Sequence, residues 1–436
     1  MKKTTLLLAL LSVSFLCSAQ NLRRKPKTSN VPSRELRRKP EQAAKKDPED
    51  VTYEEAFLDI YTTMGRVYPA FDIKGVDWKA VGGELLPRVE TVKTDEEFGL
   101  LCMELVARLQ DSHALLLNGS AERPEPPLPQ WDPGFACLID DQDKPVVFHV
   151  DRSGPAKGAG VELGMTLISI NEVPAEKAIQ EAMNQTGKYW SYSSQQYLRY
   201  SAARSFIRQM NRRENVELIM TDPKGKTHDF KIPATLGSRY LPRLPVPIKG
   251  IIDDESVSWT MLKNKVGYVY VRRIKSDLID SLDEAVDDLS RANGLIIDVR
   301  GNSGGGFDSR RAFINFDLNS TEEPKRPRFK GPVALLTDAR CISAGEGWAS
   351  WFIANKRATV FGEATAGASS RKRTYALKNN LYKVIIPVKL YRGFLDRPIE
   401  RRGLEPDIPV RQNAADLADG KDTVLETAKS WLIEQF

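Results

Sequence analysis

Ser343 stands at a junction that favours acyl chemistry. It follows a short apolar strand pattern at 332–337 and a polar turn. It precedes a run in which Trp348, Trp351 and Phe352 recur at i, i+3 and i+4, the spacing of a helix face. The first amides of a helix have no intrahelical acceptor and carry partial positive charge. A hydroxyl placed there can attack a carbonyl while those amides, Ala344 first, hold the oxyanion. A second donor is available in Gly301-Asn302-Ser303-Gly304-Gly305-Gly306, which closes the continuously apolar run 294–300. Loops after neighbouring parallel strands open at the same sheet edge, so Gly304 or Gly305 is expected beside Ser343. Serine is also a favoured helix N-cap, and a glycine run can serve simply as a tight turn; both plainer readings stay open at this level. Cys341-Ile342-Ser343-Ala344-Gly345 lacks the first glycine of a nucleophile elbow, which weakens an α/β-hydrolase assignment.

A serine hydroxyl needs a base, and an imidazole titrating near neutrality suits that task. The chain has three histidines. His149 alternates within the strand-like run 145–150. His228 follows Asp222-Pro223-Lys224-Gly225 and belongs to a hairpin arm. His113 remains. It stands just beyond an amphipathic helix on which Phe98, Leu101, Cys102, Leu105 and Leu109 share one face, predicted to end at Gln110. Two capping-box spacings, Thr52 with Glu55 and Thr94 with Glu97, open the helices of this region. In the polar triplet Asp111-Ser112-His113 the imidazole is held by a helix end yet free to face a cleft; a core histidine satisfied at that end is the alternative.

These residues sit in a chain of 436, long enough for two to four domains. With 41% hydrophobic and 28% charged residues it is neither a polytopic membrane protein, a collagen nor a wholly disordered chain. Four cysteines at irregular spacings imply neither a zinc knuckle nor a dense disulfide framework, and no phosphate loop or ligand-spaced His/Cys cluster implies a metal or organic cofactor. Lys2 and Lys3, the apolar run 6–16 and Ser18-Ala19 read as an export signal cut after Ala19, too short to span a membrane. Lipidation at Cys17 is the competing reading, against which Leu16 stands where a small residue is normal. Residues 20–50 carry ten Lys/Arg against five Asp/Glu, a surplus that nearly accounts for the net +6 of the chain. This reads as a flexible basic tail, a solvated tether or removed segment rather than a nucleic-acid-binding arm. Five prolines within 122–133 mark a linker. After it come short strand patterns at 135–139 and 145–150, then alternating strands and helices from 250 on, so the fold class is mixed α/β.

The stretch 158–171, a glycine-marked turn before Thr166-Leu167-Ile168-Ser169-Ile170-Asn171, resembles the PDZ domain, with Met165 and Glu172 in place of the usual aspartate and glycine. The wider pattern resembles the S41 serine peptidases. It rests on Ile297-Asp298-Val299-Arg300-Gly301-Asn302-Ser303-Gly304-Gly305, Ser343-Ala344-Gly345-Glu346, Gly362-Glu363-Ala364-Thr365-Ala366-Gly367 and Gly403-Leu404-Glu405-Pro406-Asp407-Ile408. The resemblance implies an S41-type peptidase core over 250–436, an N-terminal helical region over 51–121 that supplies the base, and an inserted β-rich PDZ-like domain over 125–236. It implies a peptide or protein substrate, with no nucleic-acid partner.

Within that family, Ala368 occupies the position of the lysine base of the C-terminal processing branch; Lys372 lies four residues on. The tricorn-like branch takes its base from the N-terminal helical region and a glutamate from a position that here is Glu400. The resemblance therefore implies Ser343 as nucleophile, His113 as base and Glu400 as the acid that orients it, directly or through Ser112. Three alternatives accompany it: a Ser-Lys enzyme using Lys372, a peptide-binding protein on an inactive scaffold, and a surface ion pair for Glu400 among Arg397, Arg401 and Arg402. Asp298 with Arg300, Glu346 and Cys341 read as structural.

Overall fold

The computed structural model describes residues 46–237, 240–253 and 256–436. The expected export signal and nearly all of the basic tail lie outside the described residues. Among the described residues, the strands form three sheets.

The largest sheet has the order Ile408–Pro409, Thr359–Gly362, Val333–Thr337, Gly294–Asp298, Val266–Val271, Val257–Leu262, Ile252–Asp253. Its first five strands run parallel, Val257–Leu262 pairs antiparallel with the fifth, and Ile252–Asp253 pairs antiparallel with Val257–Leu262. The strand period of two divides the side chains between two cores. Leu295 and Ile297 face Leu278, Leu282, Trp348 and Phe352 of the helices Leu278–Asp288 and Ala344–Ala354. Ile296 faces Val424, Leu425 and Leu432 of Thr423–Ile433 on the other side. Coverage on both faces is why these strands read as unbroken apolar runs.

The N-terminal helices do not stand apart from this core. After the helix Asp95–Ala107 the chain forms the strand Leu115–Asn118, which pairs antiparallel with Tyr382–Leu390; Ser370–Ala376 completes this sheet. Phe57, Phe98 and Leu105 share one apolar cluster with Tyr382, Val384 and Ile386. The region 51–121 is thus joined to the C-terminal part by a sheet and a core that the expected division keeps separate.

Both capping-box threonines accept the expected amide, Thr52 from Glu55 and Thr94 from Glu97. The second helix ends at Ala107, short of the predicted Gln110. There Leu109 and Gln110 bond three residues back, to Val106 and Ala107, tightening the last turn before Gln110 takes φ 50°. That turn delivers Asp111 and His113 to the site.

Residues 131–236 build the third, wholly antiparallel sheet, in the order Phe135–Ile139, Pro145–Val150, Thr166–Ile170, Asn215–Thr221, Thr227–Pro233, with Val173–Pro174 beside Thr166–Ile170. Ala175–Tyr189 and Gln195–Ala203 are its longer helices, over a core of Val147, Leu167, Ile179, Leu218 and Ile232. The connection between those helices, 190–194, reaches across to the site described next.

Candidate active site

Gly294–Asp298 and Val333–Thr337 are neighbouring parallel strands, so the loops that follow them meet at one sheet edge. Asp338 ties the loops together: its Oδ1 accepts from the amides of Gly301 at 2.8 Å, Cys341 at 2.9 Å and Arg340 at 3.1 Å. Asn302 continues the seam, its carbonyl accepting from Ile342 N–H at 3.0 Å and its Nδ2 donating to Val271 O at 2.7 Å. Gly304 has φ +77°, and a Cβ on it would fall 2.8 Å from Ser343 Cβ. Only glycine allows that approach at that φ.

Ser343 occupies the N-cap of Ala344–Ala354 with φ 62° and ψ −123°, strained for a residue with a side chain. Its amide is held from two sides, by Ala368 O at 2.9 Å and Glu346 Oε2 at 3.1 Å. Glu346 also accepts from Thr365 Oγ1 at 2.6 Å and from the amides of Gly367 at 2.8 Å and Ala368 at 3.0 Å. This fully buried carboxylate fastens the 365–368 segment to the turn carrying Ser343, and burial pushes its pKa up to about 7. The Ser343 hydroxyl lies 3.0 Å from His113 Nε2.

Of the three expected oxyanion donors, Gly304 N–H is taken by Asn302 Oδ1 at 2.8 Å. The amides of Gly305 and Ala344 have no acceptor among the described residues. Gly305 sits against Ile274, where a Cβ would collide with the Ile274 carbonyl.

His113 is buried, and burial, followed by the charge of Lys372, lowers its pKa to about 3. The imidazole is therefore neutral at pH 7 and able to accept a proton. Its backbone N–H donates to Asp111 Oδ1 at 3.0 Å, and its buried Nδ1 has no hydrogen-bond partner. Among the described residues the one carboxylate oxygen within 4.0 Å of that ring is Asp111 Oδ1, at 3.9 Å from Nδ1. Asp111 is in turn held by Tyr68 OH, at 3.3 Å from Oδ2, and its pKa is raised by burial and then by the charge of Glu400.

Glu400 is not on the imidazole. Its Oε1 lies 2.7 Å from Lys74 Nζ, its Oε2 accepts from Ser369 N–H at 3.2 Å, and it is hydrogen-bonded to the Ser193 side chain. The ion pair is inside, with side chains 1% and 0% exposed, so the surface-pair reading of Glu400 is corrected. The neighbouring arginines turn elsewhere: Arg397 to Gly403 O, Arg401 to Ile73 O and Arg402 to Glu405. Ser112 does not reach the imidazole either. Its amide donates to Ser193 Oγ at 2.9 Å and its Oγ accepts from Ser193 N–H at 2.8 Å, so Ser193 links it to Glu400 through the backbone of the histidine loop. Desolvation lowers the Lys372 pKa, and among the described residues it makes no hydrogen bond to Ser343.

Ser343 and His113 thus meet, with Gly304 against Ser343 and Gly305 next along the loop, while Glu400 and Ser112 lie one residue removed. Sequence reasoning missed Lys74, Asp111, Ser193 and Asn302 as parts of the site. Asp111 could have been found as the acid of its own triplet, and Lys74 as the lone cation among Phe71, Ile73 and Val76. Ser193 carries no local signal, and Asn302 stands within the glycine loop without marking its own role.

Two family models match the chain: Peptidase family S41 over residues 265–410 and Tricorn protease C1 domain over 50–107. A carboxyl-terminal-processing peptidase 2 of Arabidopsis thaliana chloroplasts is 25% identical over 165 residues, 34% of this chain and 32% of that protein. A tricorn protease homologue 2 of Streptomyces coelicolor is 21% identical over 416 residues, 86% of this chain and 32% of that protein. The chain thus spans about a third of the length of these relatives. The crystal structure of mature CPAF superposes with a TM-score of 0.65 at 12% identity, covering 88% of this chain and 98% of that one, so the fold is shared. The two family models cover the segments that carry Ser343 and the helices leading to His113, and over them the chain is similar to the S41 peptidases and to the tricorn C1 domain.

Proposed function

We propose that this protein is an exported serine endopeptidase that hydrolyses peptide or protein substrates through an acyl-enzyme. The observation that carries the reading is the 3.0 Å contact between Ser343 Oγ and the neutral His113 Nε2, beside the open amides of Gly305 and Ala344. Ser343 Oγ attacks the carbonyl carbon as His113 takes its proton, and the two amides receive the oxyanion. His113 then protonates the leaving amine, and a water activated by the same imidazole hydrolyses the ester. The imidazolium formed on the way needs a nearby anion, and Asp111 Oδ1 is the nearest. Glu400 is a positioning residue in this account. It holds Ser369, whose Oγ donates to Ser343 O at 3.3 Å, and through Ser193 it holds the loop of Ser112 and His113. The module 125–236, PDZ-like in its sequence pattern, serves peptide recognition or gating. Export follows from the N-terminal signal pattern.

Labelling by a fluorophosphonate probe tests the site. Label on wild type and on Lys372→Ala, lost in Ser343→Ala and His113→Ala, is the expected pattern. Loss with Lys372→Ala and survival with His113→Ala transfers the base to lysine, and an unlabelled wild type, with folded protein in hand, favours the binding-protein reading.

A further inference from the structure

The strand Ser370–Ala376 begins where the candidate site ends. Ser343 N–H donates to Ala368 O at 2.9 Å, Ser369 Oγ reaches Ser343 O, and the strand starts at the next residue. It is the outer strand of its sheet, paired on one side only with Tyr382–Leu390. Among the described residues no strand pairs with its other side, which leaves a seven-residue edge onto which an extended chain can be added.

The side chains on this edge are cationic. Arg371, Lys372 and Arg373 are consecutive and exposed, and among the described residues no ion pair engages them. Arg371 lies directly opposite Lys389 across the pair, and Lys389 is exposed as well. Like charges in facing positions weaken a sheet, so folding alone does not account for this cluster. An acidic strand laid along the edge would neutralise it. The same charges repel a second copy of this edge, which keeps it open. The pairing register shifts between Arg371 and Lys372; beyond it, strand alternation puts Arg373 on one face and Lys372 on the other. On that second face the Lys372 charge lowers the His113 pKa, in keeping with the Ser369–Ser343 contact at the start of the strand.

We propose that the substrate chain docks as an added strand along Ser370–Ala376 and that Arg371, Lys372 and Arg373 select acidic residues flanking the scissile bond. This rests on the peptidase reading and names its substrate class. Arg371, Lys372 and Arg373 meet carboxylates of the bound chain. The contacts are solvent-facing, so selectivity falls as salt rises past about 0.1 M.

The test has two arms. In the first, Ser343→Ala protein is titrated by fluorescence anisotropy with extended peptides of equal length, alternating Asp, Lys or neutral residues. The acidic peptide is expected to bind about threefold to tenfold more tightly than the neutral one, the basic peptide least, and N-methylation of alternate amides to abolish binding. In the second, kcat/KM for matching fluorogenic peptides is compared between wild type and Arg371→Glu/Arg373→Glu. The preference is expected to invert in the double variant while fluorophosphonate labelling of its Ser343 is unchanged. Equal binding of all three peptides, or an acidic preference that survives the double reversal, overturns the docking assignment. Absence of label on wild type strikes the peptidase reading instead, and the binding arm still decides the edge strand.

Discussion

Lys74 Nζ lies 2.7 Å from Glu400 Oε1, and the two charges, 326 residues apart in sequence, have almost no solvent between them and the core. Lys74 Nζ also donates to Ser193 O at 2.6 Å, so one ammonium joins the N-terminal helices, the 131–236 module and the C-terminal segment. Removing one partner strands a buried charge. Lys74→Met is expected to cost about 3–5 kcal/mol in urea unfolding. The double variant Lys74→Met/Glu400→Met, which removes both charges, is expected to recover most of that loss. Single and double variants of equal stability would show that the pair does not act as a unit.

Asp111 and Glu400 are separable by their distance from the imidazole. Asp111 Oδ1 is 3.9 Å from His113 Nδ1 and accepts the His113 amide, whereas Glu400 reaches the same loop through Ser193. Asp111→Asn is therefore expected to slow fluorophosphonate acylation more than Glu400→Gln, by about tenfold or more. The reverse order would return the orienting role to Glu400.

The pH dependence follows from the buried imidazole. With its pKa lowered to about 3, by burial first and by Lys372 second, His113 remains a base well below the ordinary histidine range. The acid limb of the acylation rate is expected near pH 3 wherever the protein stays folded, and Lys372→Met is expected to move it to higher pH. In stability the sign is this: the unfolded chain binds the proton first as pH falls. The His113 contribution is thus complete above about pH 6.5 and erodes from there toward the folded value. A limb at pH 6.5 in wild type would contradict the buried, neutral ring.

Gly304→Ala tests the loop contact. The new methyl group meets Ser343 Cβ at 2.8 Å from a backbone at φ +77°. Ser343 is expected to lose its label while far-ultraviolet circular dichroism is retained, because the clash is confined to the two loops. Label at the wild-type rate would mean that the glycine run is only a turn.

Glu346 binds Ser343 N–H, Thr365 Oγ1 and the amides of Gly367 and Ala368. Glu346→Ala leaves buried donors unmet, at about 1–3 kcal/mol, and frees the strained Ser343 to relax from φ 62°. The expected outcome is a lower unfolding midpoint together with loss of label; Glu346→Gln keeps an acceptor and is expected to retain part of both.

Local chemistry was legible along the chain. The run 294–300 read as a strand because both of its faces are buried, the Thr52 and Thr94 caps because a side chain and an amide three residues on are enough to make them, and Ser343 because strand, turn and helix follow in order. His113 was found by elimination among three histidines, which composition alone permits. These features depend on neighbours within a few residues. The partners of the imidazole, the cation on Glu400, the amide left free in the glycine loop and the edge beside Ser343 depend on contacts among segments up to hundreds of residues apart. Glu400 sits among Arg397, Arg401 and Arg402 in sequence, yet in the fold its charge is met by Lys74, because burial excludes water and leaves that ammonium to satisfy it. Sequence alone set the residue types that could react; the packing of three chain segments against one sheet edge decided which of them meet.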